Sequence, residues 1–303
     1  MGELEKITDV KKISPSEILK PWFLNKLLLN PLKFWSMRGE KVHVTNQDDL
    51  ATFLPLPKMD LSVTVHDIFP YAEDYSGPVY SLMARLYVRN LERHADRIIA
   101  ISEATKEQLL ENTAIEEDRI EVVYQGVDTE IFRPVEEEPE YDNYFLHVGS
   151  EIERKNIPGL IQIFEKIKEE RHEALLVRVG RMSSDTEELI EDSSLKIGED
   201  IVYVDSVDTE ELVKLYSHAE KLLFPSHGEG FGRPMIESLA CGTPVVAYNR
   251  KPMSEVLPED MLVQDKEFFV KNSLKDSDEI RRCRSLGENF GWEETAKSIL
   301  EVV

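Results

Sequence analysis

The chain has 303 residues, 41% of them hydrophobic, with 36 basic against 59 acidic side chains and a formal charge of −23. That length supports two ordinary domains, and so acidic a balance excludes general nucleic-acid binding, which needs clustered Lys and Arg. Two cysteines, Cys241 and Cys283, cannot build a disulfide framework, and no Cys/His cluster has metal-ligand spacing, so a reducing compartment and no metal are expected. No apolar run approaches the roughly 18–20 residues that cross a bilayer, and the start MGELEKITDV lacks a signal-peptide pattern. The expectation is a cytoplasmic protein, at most resting on the inner face of a membrane.

In chain order, charge is the first feature. Residues 11–41 hold seven basic and two acidic side chains, a net +5. Within them ILKPWFLNKLLLNPLKFWSMRG, 18–39, interleaves Trp22, Phe23, Phe34 and Trp35 with Lys20, Lys26, Lys33 and Arg38. This is the composition of a peripheral membrane segment. It equally suits short helices of a first domain, broken at Pro21 and Pro31, and the two readings are compatible if one face packs and the other meets lipid.

Short, Val- and Ile-rich apolar runs follow at 41–45, 61–67, 97–102, 119–126, 144–149, 174–180, 201–206, 221–226, 243–249 and 260–265. Nearly continuous apolar runs are the mark of parallel strands buried on both faces. Helix-period segments lie between them at 78–95, 103–113, 156–170, 185–196, 208–220 and 233–241, and GWEETAKSILEVV reads as a final amphipathic helix. The alternation predicts an α/β fold. The proline-bearing, acidic stretch VDTEIFRPVEEEPEYDN, 127–143, separates two such series. Domains are therefore expected at 1–134 and 135–285, with 286–303 as the closing helix.

Ligands of open α/β sheets sit beyond the carboxyl ends of the strands, so the chemistry is sought there. In FPSHGEGFGRPMIESLACG, Pro234 suits the first turn of a helix and Gly242 the position past its end. The amides from Gly232 to Met235 would then form an anion site, bordered by Glu229 and Glu237, whose carboxylates could accept from hydroxyls on either side. An acidic cap on a surface helix is the plain alternative, but the glycines argue for close backbone approach to a ligand. In FLHVGSEIERKNIPGLIQIF a strand ends at Gly149, and Arg154 and Lys155 precede Asn156, a helix cap. Two cations there could clamp a diphosphate; alone they would read as a solvated basic pair. His66 and Asp67, in VTVHDIFP, follow a strand of the first domain.

Together these stretches resemble family-4-type glycosyltransferases of the "glycosyl transferases group 1" type. FPSHGEGFGRPMIESLACGTPVVAYN matches their signature, and FLHVGSEIERKNIPGLIQIF, VDTEELVKLYSHAEKLLFPS, VTVHDIFPY and HADRIIAISEATKEQLLENTAIEEDRIEVVYQGVD match further segments. The resemblance covers roughly 40–303. It implies the GT-B fold, two Rossmann-like domains facing a cleft, the first shortened here, with the last helix, FGWEETAKSIL, packing toward the first domain. It also implies transfer of a hexose, mannose- or glucose-type, from a UDP- or GDP-sugar with retention, no metal and no cofactor beyond the donor. The acceptor would be a glycan or a lipid-linked or membrane molecule.

The resemblance gives Glu237 the ribose hydroxyls and Glu229 the donor sugar, near amides of Gly230, Phe231, Gly232 and Arg233. It gives Lys155 and Arg154 the diphosphate, beside Gly149 and Ser150, and His66 the sugar from the first domain. Two departures stand in the site itself: Ser150 replaces the usual arginine, and Arg233 a usually apolar residue. The family's first strand and glycine-rich loop have no counterpart, which leaves as the alternative a weakly catalytic sugar-nucleotide-binding subunit that requires a partner to supply the missing acceptor wall. A nicotinamide dehydrogenase would need a GxGxxG turn after a strand, which is absent.

Overall fold

The computed structural model describes residues 30–69, 77–275 and 280–303. Residues 18–29 of the basic aromatic segment lie outside that range. The chain divides into two compact units, one of residues up to Gln125 together with Trp292–Val303, the other Gly126–Gly291. The expected boundaries stood at 134 and 285. The structure moves both, because Val127 N–H bonds Phe290 O at 2.6 Å and Val135 N–H bonds Ser217 Oγ at 3.3 Å, tying 127–135 and 286–291 into the second unit.

In the first unit β1 (Lys41–Val44), β2 (Asp60–Val65), β3 (Arg97–Ala100) and β4 (Ile120–Val122) form a parallel sheet in the order β1-β2-β3-β4. Right-handed crossovers between strands that follow one another in this order all lie on one face. That face carries Val42, Leu61, Val63 and Ile98, buried against Met83 and Tyr87 of α2 (Gly77–His94). Asn90 of α2 donates to Leu50 O and Thr52 O, fixing the loop after β1. Helix α1 (Asn30–Ser36) buries Phe34 in the same core, while Trp35 stays exposed and donates from Nε1 to Pro55 O at 3.1 Å. Helix α3 (Glu103–Asn112) starts at Ser102, whose hydroxyl accepts from Thr105 N–H.

The opposite face is covered from the far end of the chain by α11 (Trp292–Val302). Thr295 Oγ1 donates to Tyr124 O at 3.0 Å, and Arg97 Nη1 to Val303 O at 2.8 Å. Between helix and sheet lies a cavity of about 220 Å³, lined by strand residues such as His43, Thr64 and Ile99, by His66 just past β2, and by Trp292 and Ile299.

The second unit holds β5 (Tyr144–Val148), β6 (Leu175–Val179), β7 (Ile201–Val204), β8 (Lys221–Phe224), β9 (Val245–Tyr248) and β10 (Leu262–Val263), all parallel, in the order β10-β9-β8-β5-β6-β7. Counted from β5, this is the doubly wound order 3-2-1-4-5-6 of mononucleotide-binding sheets. The crossovers are α4 (Ile157–Glu170), α5 (Ser184–Glu191), α6 (Thr209–His218) and α7 (Arg233–Ala240). Side chains of Asn156, Ser183 and Asp208 cap α4, α5 and α6. Three helices were not expected: α8 (Met253–Val256), α9 (Lys266–Ser273) and α10 (Ile280–Glu288). The last crosses α7 so closely that a Cβ on Gly287 would run into the Ala240 backbone. Among the described residues no helix is long and apolar enough to cross a membrane, and both cysteines are free and buried.

Candidate active site

The strand order of the second sheet reverses between β5 and β8. Loops leaving adjacent strands toward opposite faces open a crevice there. Both glycine-bearing stretches singled out above fall at this point, and the backbone joins them: His227 N–H bonds Arg154 O at 2.7 Å, and Asn156 Nδ2 donates to Pro225 O at 3.1 Å. Asn156 takes a left-handed conformation, φ 55°, so that Oδ1 also accepts from Gly159 N–H. One asparagine thus ends the first loop, starts α4 and holds the second loop beside it.

The side chains then converge. Arg154 Nη1 donates to Glu229 Oε2 at 2.7 Å and to Gly228 O at 3.0 Å, while Lys155 Nζ donates to Glu229 Oε1 at 2.6 Å. Lys155 is 8% and Glu229 5% exposed, so these are buried charges, with Nζ 5.2 Å over the Phe224 ring. Both carboxylate oxygens of Glu229 serve the cations. Each oxygen keeps a second lone pair. Ser150 is exposed, and Arg154 supplies the second cation of this loop.

Glu237 sits within α7, also buried. Its Oε1 accepts from Arg233 Nη2 at 2.9 Å and its Oε2 from Tyr216 OH at 3.0 Å. Burial, and then the Glu237 charge, push the Tyr216 hydroxyl well above its ordinary pKa; it remains a donor at any physiological pH. Arg233 is therefore a helix-surface partner of Glu237 in this structure, one turn away. Phe231 is buried edge-on against Phe290, ring centres 5.9 Å apart, Gly230 is buried, and Gly232, at φ 94°, caps α7.

The expected anion site at Gly232–Met235 is narrower than the residue pattern suggests. Pro234 has no N–H, and Met235 N–H is bonded to Gly232 O at 2.9 Å, so only Gly232 and Arg233 remain to supply amides.

His66 belongs to the first unit. Its Nε2 donates to Thr45 O at 2.8 Å, since a carbonyl only accepts, and Nδ1 accepts from Gln125 Nε2 at 2.8 Å. These two bonds hold the ring in place on the first sheet.

Four residues at the switch point escaped the pattern analysis. Tyr216 orients Glu237. His147 on β5 is fully buried with neither ring nitrogen hydrogen-bonded; burial, then the charges of Arg178 and Lys155, hold its pKa well below the usual value. Arg178 on β6 is its register partner. Glu151, in the loop after β5, accepts from Ser183 N–H and Thr186 Oγ1, each at 2.8 Å. The available signal was a charged residue inside an apolar run, LLVRV, beside a second such run, YFLHV.

Comparison with known proteins gives the family and the fold. The chain matches the family model "Glycosyl transferases group 1" over residues 128–281 and "Glycosyltransferase Family 4" over 24–131. It is 28% identical to the O-antigen chain mannosyltransferase RfbU of Salmonella typhimurium, over 76% of this chain and 64% of that protein. The chain thus spans less than two thirds of that relative. Among solved structures it resembles sucrose-phosphate synthase from Thermosynechococcus elongatus, with a TM-score of 0.64 at 24% identity over 80% of this chain and 67% of that one. Anabaena Alr3699/HepE, solved in complex with UDP-glucose, gives a TM-score of 0.68 at 17% identity over 80% and 71%. The fold is GT-B, and the chain belongs to the glycosyl transferases group 1 family.

Proposed function

We propose that this protein is a retaining glycosyltransferase that moves a hexose, mannose- or glucose-type, from a UDP- or GDP-sugar to a glycan or lipid-linked acceptor. The observation that carries the reading is the convergence of Arg154 and Lys155 on Glu229 at the switch point, with Glu237 held one helix away by Tyr216 and Arg233. A diphosphate beside Lys155 and Arg154 meets two fixed cations, and preorganised charge of this kind stabilises a departing anion. In the reaction the bond from the anomeric carbon to the β-phosphate oxygen breaks, and the acceptor oxygen bonds to that carbon on the same face. The acceptor's proton goes to the leaving phosphate oxygen. Glu237 offers its free lone pairs to ribose hydroxyls, and Glu229 to the sugar, near the backbone of Gly230–Arg233. RfbU is a mannosyltransferase and HepE was solved with UDP-glucose, which supports a hexose donor and leaves both bases to be tried.

Transfer and thermal-shift assays with UDP-glucose and GDP-mannose test this. The true donor at 100 times its Kd should stabilise the protein by about 2.7 kcal/mol and be turned over. If neither sugar nucleotide binds, the reading fails. Binding without turnover would favour a donor-binding subunit.

The membrane contact proposed through 18–39 gains support from the exposed side chains of Leu32 and Trp35, and from exposed Phe53 and Leu54, which directly precede the Pro55 whose carbonyl accepts from Trp35. Sedimentation with anionic vesicles at low salt should bring the protein down, and a protein left wholly in the supernatant would refute the contact.

A further inference from the structure

Arg178 is the largest fully buried side chain described, and it stands in the middle of an apolar strand. Burying a guanidinium costs several kcal/mol unless partners offset it, so where its bonds go matters. Nε and Nη1 are buried without a hydrogen-bond partner. Nη2 donates to Gly149 O at 2.9 Å and lies 3.5 Å from Glu151 Oε1, and the guanidinium stands 5.1 Å from the Tyr203 ring centre. A buried donor left unpaired in a native protein calls for an explanation.

The partners of Nη2 supply one. Gly149 and Glu151 are the start of the loop that carries Arg154 and Lys155. Glu151 is tied onward to Ser183, to Thr186 and to Tyr203 OH, the last at 3.3 Å. The ends of β5 and β6 close tightly on the guanidinium: a Cβ on Gly180 would run into Gly149 O and Arg178 Nη1. Besides the backbone bond from Gly149 N–H to Val179 O, the side-chain bonds at the base of the loop pass through Arg178 and its carboxylate partner, while the loop's far end is fixed by Asn156 on Pro225 O.

We infer that Arg178 is a positioning residue: through Gly149 O and Glu151 it sets the loop that presents Lys155 and Arg154 to the donor's diphosphate. Its consequence for catalysis rests on the donor reading proposed above; its consequence for the loop does not.

Arg178→Met alone would leave Glu151 buried without its cation, so the informative protein is Arg178→Met/Glu151→Gln, which keeps volume and removes both charges. It should melt near wild type, yet the amides of Ile152–Asn156 should exchange at least about tenfold faster, with β8 unchanged. Affinity for UDP and GDP should fall about tenfold and kcat about 100-fold, the cost of a misplacement of about 1 Å. Arg178→Lys, which keeps the charge but loses the fork, should leave loop exchange raised. A purely structural role predicts recovery of everything along with stability. Wild-type loop exchange and wild-type kcat in the double variant would overturn the inference. If the wild type binds neither UDP nor GDP, the donor reading falls and loop exchange alone decides the role of Arg178.

Discussion

Lys155→Met removes a cation that is buried and assigned to the proposed diphosphate. The change keeps an unbranched, polarisable chain against Phe224, so packing is preserved and charge is removed. Two magnitudes follow. For the fold, breaking a buried pair costs about 3–5 kcal/mol when it strands the partner. Here Glu229 keeps Arg154 on its other oxygen at 2.7 Å. The loss should therefore be nearer about 1.5–3 kcal/mol, one hydrogen bond to a charged group. For the reaction, removing one preorganised donor from a developing anion costs about 10²–10³ in kcat, or 2.7–4 kcal/mol. Initial rates with the preferred donor, alongside urea melts, separate the two. The expected pattern is a folded protein with kcat down at least about 100-fold and KM changed little. A kcat within about twofold of wild type would refute the electrostatic role, whatever the stability.

Glu237→Ala removes the proposed ribose contact and orphans the fully buried Tyr216 hydroxyl, so it should cost about 1–3 kcal/mol of stability as well as nucleotide affinity. Adding Tyr216→Phe should recover stability but not UDP or GDP binding by calorimetry; joint recovery would make Glu237 structural only. Burial lowers His43 from 6.5 to about 4. The unfolded chain then binds more protons in that window, and stability is lost as pH falls through it, about 2 kcal/mol by pH 5. His43→Gln should make the fall of the urea midpoint between pH 7 and 5 shallower, with buried His147 still contributing a fall of its own, and an unchanged slope would contradict the assignment. Gly287→Ala should lower stability by about 1–3 kcal/mol by forcing α10 off α7, read as a fall in Tm, and a neutral result would mean the crossing relaxes freely.

The apolar runs made the sheets legible, because inner strands such as β5, β8 and β9 are buried on both faces and say so in their composition. Helices with a cap and an amphipathic stripe, such as α4 behind Asn156, were legible for the same kind of reason. Helix α10 was not: in IRRCRSLGE the buried residues are Cys283 and Gly287, and close approach to α7 leaves no apolar stripe to read. The site divided similarly. Glu229, Glu237 and Lys155 stood out because glycines and a proline bracket them. Their pairing did not, since Arg154 and Glu229 are 75 residues apart and only the strand order β8-β5 makes them neighbours. Arg178 and His147 carried a signal, a polar residue inside an apolar run, whose meaning appears only when the register sets them side by side.

Glu229 shows how a site residue can answer to two demands at once. Desolvating Lys155 and much of Arg154 would cost several kcal/mol for each ion, and Glu229 is the carboxylate that offsets it before any ligand arrives. The cluster of two cations and one anion still carries net positive charge toward the crevice, so the carboxylate organises the cations without cancelling them. It follows that Glu229→Ala is a poor test of sugar recognition. It would leave the buried Lys155 without its carboxylate and take one partner from half-buried Arg154, and a loss of activity would report that damage as readily as a lost hydroxyl contact. Lys155, whose partner stays paired, and Glu237, whose structural share Tyr216→Phe subtracts, are the residues on which the donor site can be judged.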